Sequence, residues 1–249
     1  MTPPPPALPE RYRAAWDRVC HELHADPEAL GATISGSVLR GLGGPTSDLD
    51  VYVWINGAER WRRTYVCEGI LIEEFRNSEP WIRRYVERRD DAPGLHMLGF
   101  GVVVLDRSPA FGALCSEARN AYELGPRRLS EGDALFLRYS VWDAWGDVKD
   151  LSARGDERAA RGLIQREVHH NLAARYALEG RWLPKLRDLL PDVLSWDPPL
   201  AREICALWSP TSGDLAFSVA AYDRVVRHVL SPVDPDVPFT WTSARQPLA

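Results

Sequence analysis

The stretch Ala32-Thr33-Ile34-Ser35-Gly36-Ser37-Val38-Leu39-Arg40-Gly41-Leu42-Gly43-Gly44-Pro45-Thr46-Ser47-Asp48-Leu49-Asp50-Val51-Tyr52-Val53-Trp54-Ile55 decides how the chain is read. Its second half, from Asp48 onward, is β-branched and aromatic and predicts a strand. Asp48 and Asp50 stand two apart on that strand, so both carboxylates leave the same face. Two acids that close repel each other unless a cation neutralises them. A hard divalent metal suits such all-oxygen ligands, and Mg²⁺ takes one or two carboxylates while leaving other positions to water and phosphates. Upstream, Gly36 and Ser37 follow an expected strand and precede an expected helix start, where unpaired backbone N–H groups favour a phosphate. Gly36 lets the backbone approach closely, Ser37 can donate to a phosphate oxygen, and Arg40 can supply a bidentate guanidinium.

Working outward, Tyr12, Ala15, Trp16, Val19, Cys20 and Leu23 repeat at helical spacing after Pro9 and predict an N-terminal helix. Arg63 to Cys67 and Ile70 to Arg76 predict two further strands turned at Glu68-Gly69. Ser78 is expected to cap a helix with Pro80 in its first turn and Trp81, Ile82, Tyr85 and Val86 inward. Gly101 to Leu105 predicts a last strand. Beyond about residue 107 the stripes are helical: Leu135, Tyr139, Trp142 and Trp145; Leu163, Val168, Leu172 and Tyr176; Leu215, Val219, Tyr222 and Val226. The expected fold class is therefore α+β, with an α/β domain over 1–107 and a helical domain over 108–249 that ends in an extended, proline-rich surface tail after Leu230.

Composition narrows the function. The 249 residues carry 30 Lys and Arg against 35 Asp and Glu, a net charge of −5, which offers no global field for an extended nucleic acid. Only Lys149 and Lys185 among the basic residues are lysine. The start of the chain lacks the pattern of a secretory signal, and no apolar run approaches the ~18 residues that cross a bilayer. Cys20, Cys67, Cys115 and Cys205 have no metal-ligand spacing and read as reduced, buried thiols, so a cytoplasmic location is expected.

The string Gly36-Ser37-Val38-Leu39-Arg40-Gly41, ten residues from Val38 to Ser47, and then Asp48-Leu49-Asp50-Val51 resembles the signature of the DNA polymerase β-like nucleotidyltransferase superfamily. That pattern is a GS pair followed at this distance by D-hydrophobic-D on a strand. The family's third metal-site carboxylate comes from a following strand, here Ile70-Leu71-Ile72-Glu73-Glu74-Phe75. Alternation puts Glu73 and Glu74 on opposite faces, so one alone can join the aspartates. The resemblance favours Glu73, preceded by the hydrophobic residue of the pattern, while Glu74 stays open. The resemblance covers roughly residues 30 to 107, and the helical half looks like aminoglycoside nucleotidyltransferases in architecture alone.

What the resemblance implies is a palm-like mixed sheet and a transferase that moves a nucleoside monophosphate from an NTP, with ATP as first choice, to a hydroxyl of a small-molecule acceptor. It implies two Mg²⁺ ions, replaceable by Mn²⁺, on Asp48, Asp50 and Glu73. Gly36, Ser37 and Arg40 are then expected to hold phosphates. On the expected helix carrying Asp143, Asp147 and Asp150, Asp143 or Asp147 is the candidate base for the acceptor, and Lys185 a candidate contact to the triphosphate. A solvated charged face is the competing reading of these helical residues. A protein- or RNA-end-modifying minimal transferase and a catalytically silent nucleotide-binding module are the alternatives.

Overall fold

A computed structural model describes residues 5, 8–209, 213–237 and 242. The chain divides into two units, Met1–Arg127 and Arg128–Ala249. In the first, α1 (Arg13–Ala25) precedes β1 (Ala29–Ser35), β2 (Leu49–Ile55), β3 (Arg60–Cys67) and β4 (Ile70–Ser78). Then come α2 (Glu79–Arg88), α3 (Ala92–Phe100), β5 (Val102–Asp106) and α4 (Phe111–Glu123). The strands form one mixed sheet in the order β3-β4-β2-β1-β5, with β2 and β4 parallel and the other neighbours antiparallel.

One face of this sheet is the core. Ile34, Val51, Val53 and Ile72 are fully buried there together with Trp16, Val19 and Leu23 of α1, the stripe that the helical spacing of the sequence announces. The opposite face carries Asp50, Tyr52 and Trp54 on β2, and α3 packs over β1 and β2. Helix α3 has no counterpart among the expected elements. Its Gly94 and Gly99 are close-approach positions: a Cβ at Gly99 would stand 2.7 Å from the Arg119 backbone nitrogen of α4.

The division between units falls after α4, whereas the sequence places the boundary at 107. Helix α4 sits with the sheet because Phe111 is fully buried, stacks on Trp54 at 6.1 Å and fills the space left by Gly31, where a Cβ would lie 2.4 Å from the Phe111 ring. Two local details also differ. Ser78 precedes α2 but makes no side-chain cap hydrogen bond. The residues after Gly36 form a single 3-10 turn, Ser37–Arg40, because Gly41 at φ 72° and the run Gly43-Gly44-Pro45 stop any longer helix.

The second unit is helical among its described residues: α5 (Glu131–Ala153), α6 (Glu157–Glu179), α7 (Leu186–Trp196), α8 (Pro198–Trp208) and α9 (Leu215–Leu230). Its core joins Trp145 and Val148 with Val168, Leu172, Tyr176, Tyr222 and Val226, so the expected stripes do point inward. Leu135, at the start of the α5 stripe, is exposed. After Leu230, Pro235 accepts a hydrogen bond from Trp142 Nε1 at 2.9 Å, which ties that segment to α5. In the same segment Arg227 pairs with Asp236 at 2.8 Å; apart from residues 231–237 and 242 the expected tail lies outside the described residues, as does most of Pro3 to Pro6. Among the described residues no helix is long and apolar enough to cross a membrane. Of the cysteines, Cys20 is buried, Cys67 and Cys115 are half-buried, and Cys205 is exposed on α8, contrary to the expectation of four buried thiols.

Candidate active site

Asp50 is the register partner of Glu73 across the parallel pair β2 and β4, and Ser35 is the partner of Asp50 across β1 and β2. Aligned partners share a face, so the end of β1, Asp50 and Glu73 form a row across the strands. Asp48 joins them just before β2 begins. One carboxylate oxygen from each of Asp48, Asp50 and Glu73 lies within 4.8 Å of the other two, and all three residues are half-buried.

Glu74 is elsewhere. It is 1% exposed on the opposite face, where Arg63 Nη2 donates to its Oε1 at 2.7 Å, Tyr65 Oη donates to the same oxygen at 2.8 Å, and Arg76 Nε donates to Oε2 at 2.8 Å. Arg76 also reaches Asp26 at 2.5 Å, and its guanidinium lies over the Trp61 ring. Burial alone would push the Glu74 carboxyl up, but the three hydrogen bonds together hold it below the usual carboxylate range. Two adjacent glutamates therefore have different employments, one bound into a buried ion network and one left with the aspartates.

The Gly36 turn stands against this acidic row. Gly36 has φ 123°, and a Cβ there would meet the Asp48 carbonyl oxygen at 3.3 Å and Asp50 Oδ2 at 3.4 Å. Ser37 is buried, and its Oγ donates to Ser47 Oγ at 3.2 Å, which itself accepts from Gly44 N at 2.8 Å. The loop between Gly41 and Asp48 is fastened from the N-terminal segment. Arg11 donates to the carbonyls of Gly44 at 2.6 Å and Pro45 at 3.0 Å, and Tyr12 Oη to that of Ser47 at 3.0 Å. Arg40 is exposed on the 3-10 turn, and its charge adds to burial in lowering the His96 pKa.

The chemistry of the donor set fits a divalent cation. Three carboxylates offer hard oxygen ligands from one side and no nitrogen or sulfur donor, which suits Mg²⁺ or Mn²⁺ and leaves room for oxygens of a substrate. Asp143, Asp147 and Lys185 belong to the second unit. Asp143 and Asp147 are exposed on α5, with Asp143 accepting from Tyr139 Oη at 3.4 Å, and Lys185 is exposed immediately before α7. Sequence reasoning passes over Arg11, because its contacts span more than thirty residues and leave no local pattern.

No protein-family model matches the chain, and no curated protein does. Among solved structures, a nucleotidyltransferase-like protein from Exiguobacterium sibiricum is similar, with a TM-score of 0.50 and 16% identity over 87% of this chain and 73% of that one. At that identity the likeness is one of fold. The fold is thus α+β and nucleotidyltransferase-like, with a cluster of three acids able to bind metal at one end of its mixed sheet.

Proposed function

We propose that the protein is a metal-dependent nucleotidyltransferase that moves a nucleoside monophosphate from an NTP, ATP first among them, to a hydroxyl of a small-molecule acceptor. The observation that carries this reading is the convergence of Asp48, Asp50 and Glu73 beside the Gly36 turn. The nucleotidyltransferase-like fold supports it.

Asp48, Asp50 and Glu73 hold the divalent ions, which when bound neutralise phosphate charge and acidify the acceptor hydroxyl. Gly36 lets the turn lie against the acids, because its φ of 123° strains any L side chain and a Cβ there would crowd the Asp48 carbonyl oxygen at 3.3 Å and touch Asp50 Oδ2 at 3.4 Å. Ser37 Oγ and the turn's backbone N–H groups hold phosphate oxygens, and Arg40 adds a guanidinium on the same turn. The acceptor oxygen bonds to the α-phosphorus as the bond from that phosphorus to the pyrophosphate oxygen breaks. The hydroxyl proton passes to a base, for which Asp143 or Asp147 is the proposed group, and Lys185 is a proposed second contact to the departing pyrophosphate.

The test is release of pyrophosphate from each of the four NTPs, with and without Mg²⁺, against pools of hydroxyl acceptors. Metal-dependent release that Asp48→Asn abolishes supports the reading. No release by the wild-type protein under any combination overturns it. Asp143→Asn or Asp147→Asn, whichever residue is the base, should lower kcat by about 10² to 10⁴ while NTP binding stays nearly unchanged.

A further inference from the structure

Edge strand β3 carries three arginines, and alternation divides them. Arg63 points to the core side and is engaged by Glu74. Arg60 and Arg62 leave the other face, the one that bears Glu73, because Thr64 is the register partner of Glu73, Arg62 of Phe75 and Arg60 of Asn77. Arg60 is engaged too: it donates to Tyr85 Oη and lies over the Trp81 ring at 4.4 Å. Arg62 is exposed, has no acidic partner among the described residues, and rests its guanidinium on the Phe75 ring at 4.6 Å. A guanidinium lying on an aromatic face keeps its fork of donors free for a planar or tetrahedral anion.

Its place in the sheet says whose anion. Read across the strands, the order is Ser35 and the Gly36 turn, Asp50, Glu73, then Thr64 with Arg62 one pleat further along β3. The proposed phosphate turn lies on one flank of the acids and Arg62 on the other. We propose that Arg62 is a specificity-determining residue for the acceptor, and that the acceptor is a small hydroxyl compound carrying a phosphate or carboxylate group. This rests on the transferase reading above. The triphosphate occupies the Gly36 flank, so an anion at Arg62 belongs to the molecule entering from the β3 flank. The reaction keeps its balance: the acceptor hydroxyl attacks the α-phosphorus, pyrophosphate leaves, and the acceptor's anionic group is bound and unchanged. A polyamine acceptor would meet like charge at this strand, with Arg60 and Arg62 on the same face.

The experiment has a binding arm and a turnover arm. In Mg²⁺ without NTP, a panel of sugar phosphates and hydroxy acids, with the parent sugars and alcohols as controls, is titrated against the wild-type protein, Arg62→Gln and Arg62→Lys. The Arg62 Nε–Hε signal is followed by NMR, and thermal melts check that each variant is folded. At least one anionic member should shift that signal and bind about tenfold or more weakly to Arg62→Gln, with partial recovery in Arg62→Lys, while the neutral parents are indifferent to the substitution. In turnover, Arg62→Gln should raise the acceptor KM and leave the NTP KM unaltered. Transfer to neutral or cationic acceptors with Arg62→Gln unaffected overturns the inference and leaves the transferase reading standing. So does Arg62-dependent binding of a short 5′-phosphorylated RNA when no small anion binds. Absence of transfer to every acceptor fails the transferase reading and takes the acceptor role with it, whatever the titration shows.

Discussion

Asp50 and Glu73 are direct register partners on two parallel strands, β2 and β4, that are separated in sequence by the whole of β3. The parallel pairing places their carboxylates side by side without any turn between them, so their spacing is set by the backbone ladder. Replacing either acid by its amide keeps the ladder and removes one charge from a repelling cluster. Asp50→Asn and Glu73→Gln should each reduce Mg²⁺-dependent pyrophosphate release by at least about a hundredfold and change stability by no more than about 1 kcal/mol. Paired turnover and denaturant-unfolding measurements check both halves of the statement.

Glu74→Gln should behave in the opposite way to Glu73→Gln. The substitution leaves Arg76, 4% exposed, facing Asp26 as its one remaining acid among the described residues. Removing one member of a buried ion network destabilises the fold, by less than the ~3 to 5 kcal/mol of a wholly unpaired buried charge because Asp26 still faces Arg76, so the denaturation midpoint should fall. The Glu73 carboxylate is on the other face, and residual folded protein should keep its metal dependence.

The same network sets an acid limit. Burial pushes both Glu74 and Asp26 up, but their hydrogen bonds to arginine prevail and hold both below the usual carboxylate range. A depressed folded-state pKa contributes stability that is fully present above the unfolded values of about 4 and is lost as pH falls through the folded values. Unfolding free energy measured between pH 7 and pH 3 should therefore decline steeply below about pH 4 in the wild-type protein and less steeply in Glu74→Gln.

Gly36→Ala combines a strained backbone with a steric intrusion. At φ 123° an alanine costs about 1 to 3 kcal/mol, and its methyl would crowd the Asp48 carbonyl oxygen at 3.3 Å and touch the Asp50 carboxylate at 3.4 Å. Turnover should fall by about tenfold or more with a modest loss of stability, since displacing a reacting group by a fraction of an ångström is costly. A crystal structure of the variant showing Asp50 unmoved, with full turnover, would refute this.

Thiol reactivity separates the four cysteines. Burial pushes the Cys20 and Cys115 thiols up to about 11, whereas Cys205 is exposed on α8. At pH 8 about one Cys20 in a thousand is thiolate, so a disulfide reagent should titrate Cys205 first and reach Cys20 once the protein is unfolded. Mass mapping of the labelled peptides gives the order.

Strands β2 and β4 were legible because β2 is β-branched and aromatic and β4 opens on Ile70-Leu71-Ile72 after the turn at Glu68-Gly69, and the DxD spacing marked one face. Helix α3 was not, because Ala92-Pro93-Gly94-Leu95-His96-Met97-Leu98-Gly99-Phe100 has a proline, two glycines and apolar residues on nearly every side. It is helical because Asp91 caps it through Gly94 N at 3.1 Å and because its glycines admit neighbouring atoms that a Cβ would exclude. The contest between Glu73 and Glu74 turned on Arg63, Tyr65 and Arg76, whose convergence is a matter of cross-strand register and invisible in a linear string. Helix α4 was assigned by its sequence to the helical half because nothing local records that Phe111 fits the hollow at Gly31.

The fastening of the Gly41-to-Asp48 loop by Arg11 and Tyr12 bears on how deletions of this protein are to be interpreted. A protein trimmed by a dozen residues at its N-terminus would retain every acid of the row, the Gly36 turn and the whole sheet, yet present Asp48 on an untied loop. Weakened catalysis in such a trimmed form would report a lost anchor, together with the loss of Leu8 and Tyr12 from the core, and not a lost ligand; Arg11→Ala in the full chain, which keeps both core residues, should reproduce the part due to the loop.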